Sequence, residues 1–236
     1  MKIFFLIFIN LFNFKPSSFS RLTGSSDLNF FSSSSLYPSL LPFFNKNFLF
    51  YLDYRKPYEI IEWNEINTSF SFKRFLFLSI FQKSLKNYSE TEILTGFSKK
   101  IKNLGFSISG NYLLLNSILK RKEKIDFDLS NSFIFRNLIF SLSFKHILNS
   151  FDSKNYYISL NYSPVERFYI FVSREKEFEK IGLSLLLRPI AIFLSFSENF
   201  VNLGFGLIFD DKNFIFSFED NSYLGISLGT SLEFKR

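Results

Sequence analysis

The chain has 236 residues, 47% of them hydrophobic, and a formal net charge of +7. It has no cysteine, which excludes disulfides, thiolate chemistry and cysteine-based metal sites. No basic stripe with interleaved aromatic residues is present, so nucleic acid is not predicted as a partner. Phenylalanine occupies 37 positions, and its abundance beside isoleucine, serine and asparagine favours strands over helices.

Residues 1–20 are predicted to form a signal peptide. Lys2 precedes about a dozen largely apolar residues, a length that suits a signal-peptide core and is too short for a spanning helix. Ser18-Phe19-Ser20 provides small residues at a cleavage site. The alternative is a buried first strand.

Residues 21–46 are rich in serine and proline and include the run Ser32–Ser35. This composition is typical of irregular structure, so the segment is predicted to be a linker or a short plug. Residues 47–236 then form a single β-domain.

From residue 47 onward, short alternating segments recur, separated by short polar connections such as Asp210-Asp211-Lys212 and Ser163-Pro164-Val165. Consecutive hairpins of this kind indicate an antiparallel meander. About fourteen strands are predicted, at 47–54, 65–72, 75–83, 90–99, 103–115, 125–132, 136–146, 154–162, 166–173, 179–187, 190–197, 200–209, 213–219 and 224–235.

The two faces of these strands decide between lipid and water. In the last strand, Ile226, Leu228, Leu232 and Phe234 alternate with Ser227, Gly229, Ser231 and Glu233. A soluble sandwich would carry many charged residues on its outward face, whereas here the second face is small and polar. The pattern therefore predicts an all-β fold, an antiparallel up-and-down transmembrane β-barrel of about 14 strands, with apolar stripes facing lipid. Segments that are apolar on both faces, such as 74–81, leave their orientation open.

The order of segments resembles the FadL-like outer-membrane β-barrel family, particularly its PorV-related branch. The likeness is carried by Tyr88–Leu115, Leu138–Asn149, the hairpin NYYISLNYSPVERFYIFVSRE and the closing stretch from Val201 to Phe234. The resemblance implies fourteen strands and an N-terminal element that enters the barrel. Tyr37-Pro38-Ser39 stands where the family has Asn-Pro-Ala, and the family's Gly-rich stretch is missing.

The resemblance further implies a channel that passes or holds small hydrophobic compounds in the outer membrane. A Phe-rich wall and a plug would then take up the ligand through apolar contacts. The residues predicted to contact ligand in the plug are Pro38, Leu40, Leu41, Phe43 and Phe44. The alternatives are a non-transporting PorV-like barrel that docks a protein at its rim, a structural outer-membrane protein, and a soluble secreted β-protein.

Few residues suggest catalysis. His146 is the only histidine, and the nearby Ser141 and Ser143 lie in no nucleophile motif, so an enzyme of the lipase type is not predicted. No cofactor and no metal site is predicted. Paired carboxylates on one strand face instead predict a charged lumen, with the residues Glu90, Glu92, Asp126, Asp128 and Arg136.

Overall fold

Alternation of large apolar and small polar residues along most strands produces one continuous sheet that closes on itself. The computed structural model describes residues 33–34, 36–59, 62–118, 120–148, 155–175 and 178–236. The predicted signal peptide, and the part of the predicted plug before residue 33, lie outside these residues.

Fourteen antiparallel strands form the closed barrel, each hydrogen-bonded to its neighbours in sequence. The strands are β1 Phe48–Lys56, β2 Trp63–Phe72, β3 Leu76–Leu85, β4 Tyr88–Ile101, β5 Leu104–Ser117, β6 Arg121–Phe135, β7 Leu138–Lys145, β8 Asn155–Val165, β9 Phe168–Glu175, β10 Phe178–Leu187, β11 Ile190–Ser197, β12 Phe200–Ile208, β13 Lys212–Asn221 and β14 Gly225–Lys235. The predicted fold class and strand number are therefore confirmed.

The barrel closes by pairing of its first and last strands. Leu52 lies opposite Leu232, and Tyr54 lies opposite Thr230. The backbone N–H of Phe48 donates to the carbonyl of Arg236 at 2.7 Å, so the ladder runs to the end of the sheet. A closed sheet leaves no unpaired edge.

The apolar stripes point outward and the polar stripes point inward. In β14, Leu228 is 57% exposed and Phe234 is 40% exposed, whereas Ser227 and Glu233 are buried. The same arrangement holds in β12, where Leu203 is exposed and Asn202 is buried. A water-soluble sandwich would show the opposite arrangement, and that alternative is excluded for the described strands.

One predicted turn is wrong. Ser163-Pro164-Val165 does not connect two strands but belongs to the end of β8, and Glu166-Arg167 forms the turn. The pairing of β8 with β9 shifts between Tyr162 and Val165. A bulge at this point accommodates Pro164, which cannot donate a ladder hydrogen bond.

The two ends of the barrel differ. At one end, called the terminal end, β1 begins, β14 finishes, and tight turns join β2 to β3, β4 to β5 and each later pair up to β12 and β13. At the other end, called the opposite end, the connections from β1 to β2 and from β7 to β8 span more residues than those tight turns. No helix in the described ranges is long and apolar enough to cross a membrane.

Candidate functional site

The candidate site is the lumen, where a short N-terminal segment contacts the inner wall. Residues 33–34 and 36–44, called here the lumenal segment, contain a 3-10 helix at Pro38–Phe43. Pro38 stands at the start of this helix, where a missing N–H costs nothing. The backbone N–H groups of Tyr37, Leu40 and Phe44 donate to carbonyls within the segment. Its backbone polar groups are thereby partly satisfied before it meets the wall.

The apolar side chains of the lumenal segment are buried against inward-facing wall residues. Leu40 and Leu41 are buried, with exposed fractions of 0% and 1%. The cluster that they form comprises Leu36, Tyr37, Leu40, Leu41, Phe44, Leu49, Tyr51, Phe77, Leu94 and Tyr157. Burial of this much apolar surface favours a docked position for the segment inside the lumen.

Hydrogen bonds fix the segment to strands β6 and β8. The hydroxyl of Ser39 lies 2.7 Å from that of Ser130 and 2.6 Å from that of Ser132. Tyr37 forms a side-chain hydrogen bond with Ser159, and burial raises the pKa of Tyr37 well above its usual range. The phenol therefore stays neutral in the lumen.

Gly105 allows the backbone of the segment to approach the wall closely. A Cβ atom at this position would overlap the carbonyl oxygen of Ser39 and come within 2.7 Å of the Phe43 ring. Close backbone approach is a recurrent reason for glycine in a strand. The wall is therefore shaped to accept the segment at β5.

The segment leaves the lumen at the terminal end, where two basic residues contact it. Arg74 donates to the carbonyl of Phe44 at 3.2 Å. The ammonium of Lys100 lies 4.6 Å from the centre of the Phe43 ring. Of the five residues predicted in the plug, Pro38, Leu40, Leu41 and Phe44 are buried and Phe43 is half-buried.

A small cavity separates part of the segment from strands β2 to β4. It has room for about one water molecule. The residues that line it are Ser34, Pro38, Leu41, Ser69, Phe70, Phe77, Ser79 and Leu94.

Toward the opposite end, the lumen carries a row of alternating charges. The strand register places Arg55 opposite Glu65, Glu65 opposite Lys83, and Lys83 opposite Glu90. Arg55 also lies opposite Gly229, and its guanidinium reaches Glu219 on β13 at 2.5 Å. Because these charges are buried, loss of one partner would leave another uncompensated.

A second polar cluster joins β4, β5, β6 and the end of β7. The carboxylate of Asp128 lies 2.9 Å from the ammonium of Lys145, accepts from Asn111 at 2.6 Å and accepts from the backbone N–H of His146 at 2.8 Å. Asp126 accepts from the backbone N–H of Leu148 at 2.8 Å. These two carboxylates therefore fix the start of the connection between β7 and β8.

The structure places four of the five predicted lumenal charges inside the barrel. Glu90, Glu92, Asp126 and Asp128 are buried on the inward face. Arg136 departs from the prediction, because it lies exposed in the turn between β6 and β7 with a φ of 51°. Its guanidinium stacks on Phe135 at 5.3 Å from the ring centre.

His146 is buried immediately after β7, with its Nε2 atom 3.9 Å from a carboxylate oxygen of Glu92. The hydroxyl of Ser141 is bonded instead to that of Ser132, at 2.7 Å. Within the part of the chain that the structure describes, no serine hydroxyl is hydrogen-bonded to His146, and no group of three or more potential metal ligands occurs.

The expected Phe-rich inner wall is not found in the described strands. Most of their phenylalanines point outward, and the buried exceptions are Phe77, Phe81, Phe171 and Phe193. Three of these, Phe77, Phe81 and Phe193, belong to strands that are apolar on both faces, so period two alone could not assign their direction. Arg55, Glu65, Lys83 and Glu219 were also missed, although the last three each lie in phase with a serine of their own strand.

No protein-family model and no curated protein sequence matches the chain. Solved structures do match. A mutant of the monoaromatic hydrocarbon channel TodX superimposes with a TM-score of 0.63 at 10% identity, covering 93% of this chain and 98% of that one. The outer membrane protein Omp33 of Acinetobacter baumannii gives a TM-score of 0.53 at 7% identity, covering 81% and 98%.

The fold is that of an outer-membrane β-barrel. At these identities the likeness shows the fold alone. The structural likeness to TodX, a FadL-like barrel, agrees with the resemblance to FadL-like barrels noted from the sequence. The PorV-related branch remains a prediction from the sequence.

Proposed function

We propose that the chain is an outer-membrane β-barrel whose lumenal segment closes a path for small hydrophobic compounds. The membrane placement is supported by the outward stripes, because lipid is the solvent in which exposed Leu, Ile and Phe are stable. Signal-peptide export through residues 1–20 belongs to the same proposal.

The observation that carries the closing role is the docking of the lumenal segment inside a lumen whose wall is mostly polar. The apolar cluster around this segment, with a second cluster on the wall at Leu186, Ala191, Phe193, Ile208 and Ile215, offers small hydrophobic compounds a surface that the Ser- and Asn-rich parts of the wall do not. A compound that competes for this cluster would displace Leu40 and Leu41 from the wall. Phe43 and Phe44 lie at the terminal end of the same path and would meet such a compound as it leaves.

A disulfide lock tests the closing role directly, since the chain has no native cysteine. Ser39→Cys with Ser130→Cys joins the segment to β6 where the two hydroxyls lie 2.7 Å apart. Oxidation should lower uptake of labelled toluene by cells that produce the barrel, and reduction should restore it.

The matched control is Ser195→Cys with Asn202→Cys. This pair lies in register on β11 and β12, so its disulfide joins two wall strands without touching the segment. Uptake that is equal in the oxidised and reduced locked protein would contradict the closing role.

The alternative is a non-transporting barrel, either structural or docking a protein at its rim. It is favoured by the fixed contacts of the segment with the wall, where the hydroxyl of Ser39 lies within hydrogen-bond distance of those of Ser130 and Ser132. Toluene uptake that does not change when the barrel is removed from the cell would support this alternative.

A further inference from the structure

The terminal end of the barrel is strongly basic. The basic residues there are Lys46, Lys73, Arg74, Lys99, Lys100, Lys102, Arg136, Arg167, Arg188, Lys212 and Arg236. The acidic residues at the terminal end, among the described residues, are Glu166, Asp210 and Asp211. Lys235 is set aside, because its ammonium lies 3.7 Å from the lumenal carboxylate of Glu233.

Little of this charge is neutralised by ion pairs. Arg167 pairs with Glu166 at 3.8 Å, and Arg188 pairs with Asp210 at 3.1 Å. At the opposite end, basic and acidic side chains occur together and pair more often, as in Lys86 with Glu62, Arg121 with Glu123 and Arg174 with Glu179. The excess of positive charge is therefore a property of one end.

The charge forms a ring around the whole circumference. Each tight turn of the terminal end, from the one after β2 to the one after β12, carries or adjoins a basic residue, and Lys46 and Arg236 flank the seam. A protein partner would need a patch on one side. A ring at one level fits a planar, negatively charged surface that surrounds the barrel.

The ring lies beside exposed aromatic residues at the strand ends, and exposed phenylalanines also occur at mid-strand, as at Phe205 and Phe216. Exposed phenylalanines lie near the terminal end of the strands, namely Phe48, Phe72, Phe75, Phe97, Phe135, Phe209 and Phe234. The ammonium of Lys73 lies 5.3 Å from the centre of the Phe72 ring, and Arg136 stacks on Phe135. Aromatic residues of membrane barrels mark the boundary between hydrocarbon and headgroups. The cations therefore lie where lipid phosphates would be.

Several of these cations occupy strained backbone positions. Lys73, Arg74, Lys102, Arg136 and Arg167 have φ angles of 52°, 59°, 54°, 51° and 74°. Glycine and asparagine adopt this left-handed region more readily than long side chains do. Basic side chains at these turns thus accept a local conformational cost, which binding of the charge to a partner would offset.

We infer that the basic ring binds the headgroups of anionic phospholipids in the leaflet around the terminal end. Charge complementarity at the headgroup level selects this occupant, because a cation near an anionic bilayer surface contributes about 1 kcal/mol, or about fivefold in affinity. The inference rests on the membrane placement proposed above.

The test folds the full chain into phosphatidylcholine vesicles with and without phosphatidylglycerol. Trp63, the only tryptophan, reports unfolding by its fluorescence. The variant carries Lys73→Asn, Lys102→Asn, Arg136→Asn and Arg167→Asn, which remove charge and suit the left-handed turns. It should fold in neutral vesicles at least as well as the unsubstituted chain. The factor by which phosphatidylglycerol raises the folding equilibrium constant should fall by up to about fivefold for each charge removed.

The control variant removes the same charge from the opposite end, with Lys86→Asn, Lys120→Asn, Lys124→Asn and Arg174→Asn. It should keep its preference for anionic vesicles. Equal loss of preference in the two variants, or the same stability of the unsubstituted chain in both vesicle types, would overturn the lipid-binding ring. If the chain inserts into neither of the two vesicle types, the membrane placement is overturned, and the lipid-binding ring with it.

Discussion

Gly105 shows at the scale of one residue how the wall determines where the lumenal segment lies. All the remaining inward positions of β5 carry a side chain, whereas Gly105 leaves space for the Ser39 carbonyl and the Phe43 ring. The backbone of the segment contacts β5, and this contact is possible because Gly105 has no Cβ atom.

Gly105→Ala should displace the lumenal segment while the barrel stays closed. Overpacking of this kind costs roughly 1–3 kcal/mol. We expect faster chymotrypsin cleavage after Phe44 in the detergent-solubilised protein, because that residue would leave its buried position. Gly110→Ala is the control, since the nearest atom to an added Cβ there is a Phe127 ring carbon at 3.9 Å. Cleavage as slow in Gly105→Ala as in the control would contradict this account.

Single residues also show where reading the sequence succeeds and where it fails. Asp126 and Asp128 are buried on the inward face, and they alternate with the outward Ile125, Phe127 and Leu129 on one strand. Arg136 was placed there wrongly, because period two does not continue through a turn. The hydrogen bonds of Asp128 to Asn111 and His146 depend on the register between strands, which no local pattern contains.

At the scale of the element, the position of each strand follows from its own sequence. Predicted and observed bounds differ by four residues or fewer at each end in the described strands. The largest difference is at β6, which begins at Arg121 because Lys122 and Lys124 continue the alternation as a charged extension. Strands that are apolar on both faces, such as β3 and β11, could be located, but their sequences do not show which face points inward. The closed sheet shows that Phe77 and Phe193 lie on the inward face.

Phe216→Arg tests the outward face of one strand. Phe216 lies in the middle of β13 and is 49% exposed. In a bilayer, arginine at mid-depth on the lipid face of a barrel costs roughly 2–4 kcal/mol, against about 0–1 kcal/mol near the interface. The free energy of unfolding from vesicles should fall accordingly. Tyr223→Arg, in the turn before β14, should have little effect, and similar losses in both variants would argue against the lipid face.

At the scale of the whole molecule, closure depends on the seam between β1 and β14. The two strands come from opposite ends of the sequence, so no local pattern could give their register. The register places Leu52 opposite Leu232 on the outward face. The fourteen-strand count made closure plausible, but only the coordinates define which residues meet.

Leu52→Cys with Leu232→Cys should form a disulfide across the seam. Directly opposed strand residues lie within the distance that a disulfide spans. The oxidised protein, after unfolding in detergent, should migrate faster on a gel than the reduced protein, because the disulfide closes a large loop and makes the unfolded chain more compact. Leu52→Cys with Leu228→Cys should not cross-link, since Leu228 lies opposite Lys56, about 13 Å further along the strand. Cross-linking in this control instead would show a different register.

The inverted faces of the sheet have a consequence for the protein before it reaches its final surroundings. In water, the Leu, Ile and Phe stripes of all these strands would associate with one another, within one chain or between chains. The barrel therefore has no stable aqueous form from which it could simply be transferred. Until it leaves water, we expect the newly made chain to depend on a chaperone that keeps these stripes apart.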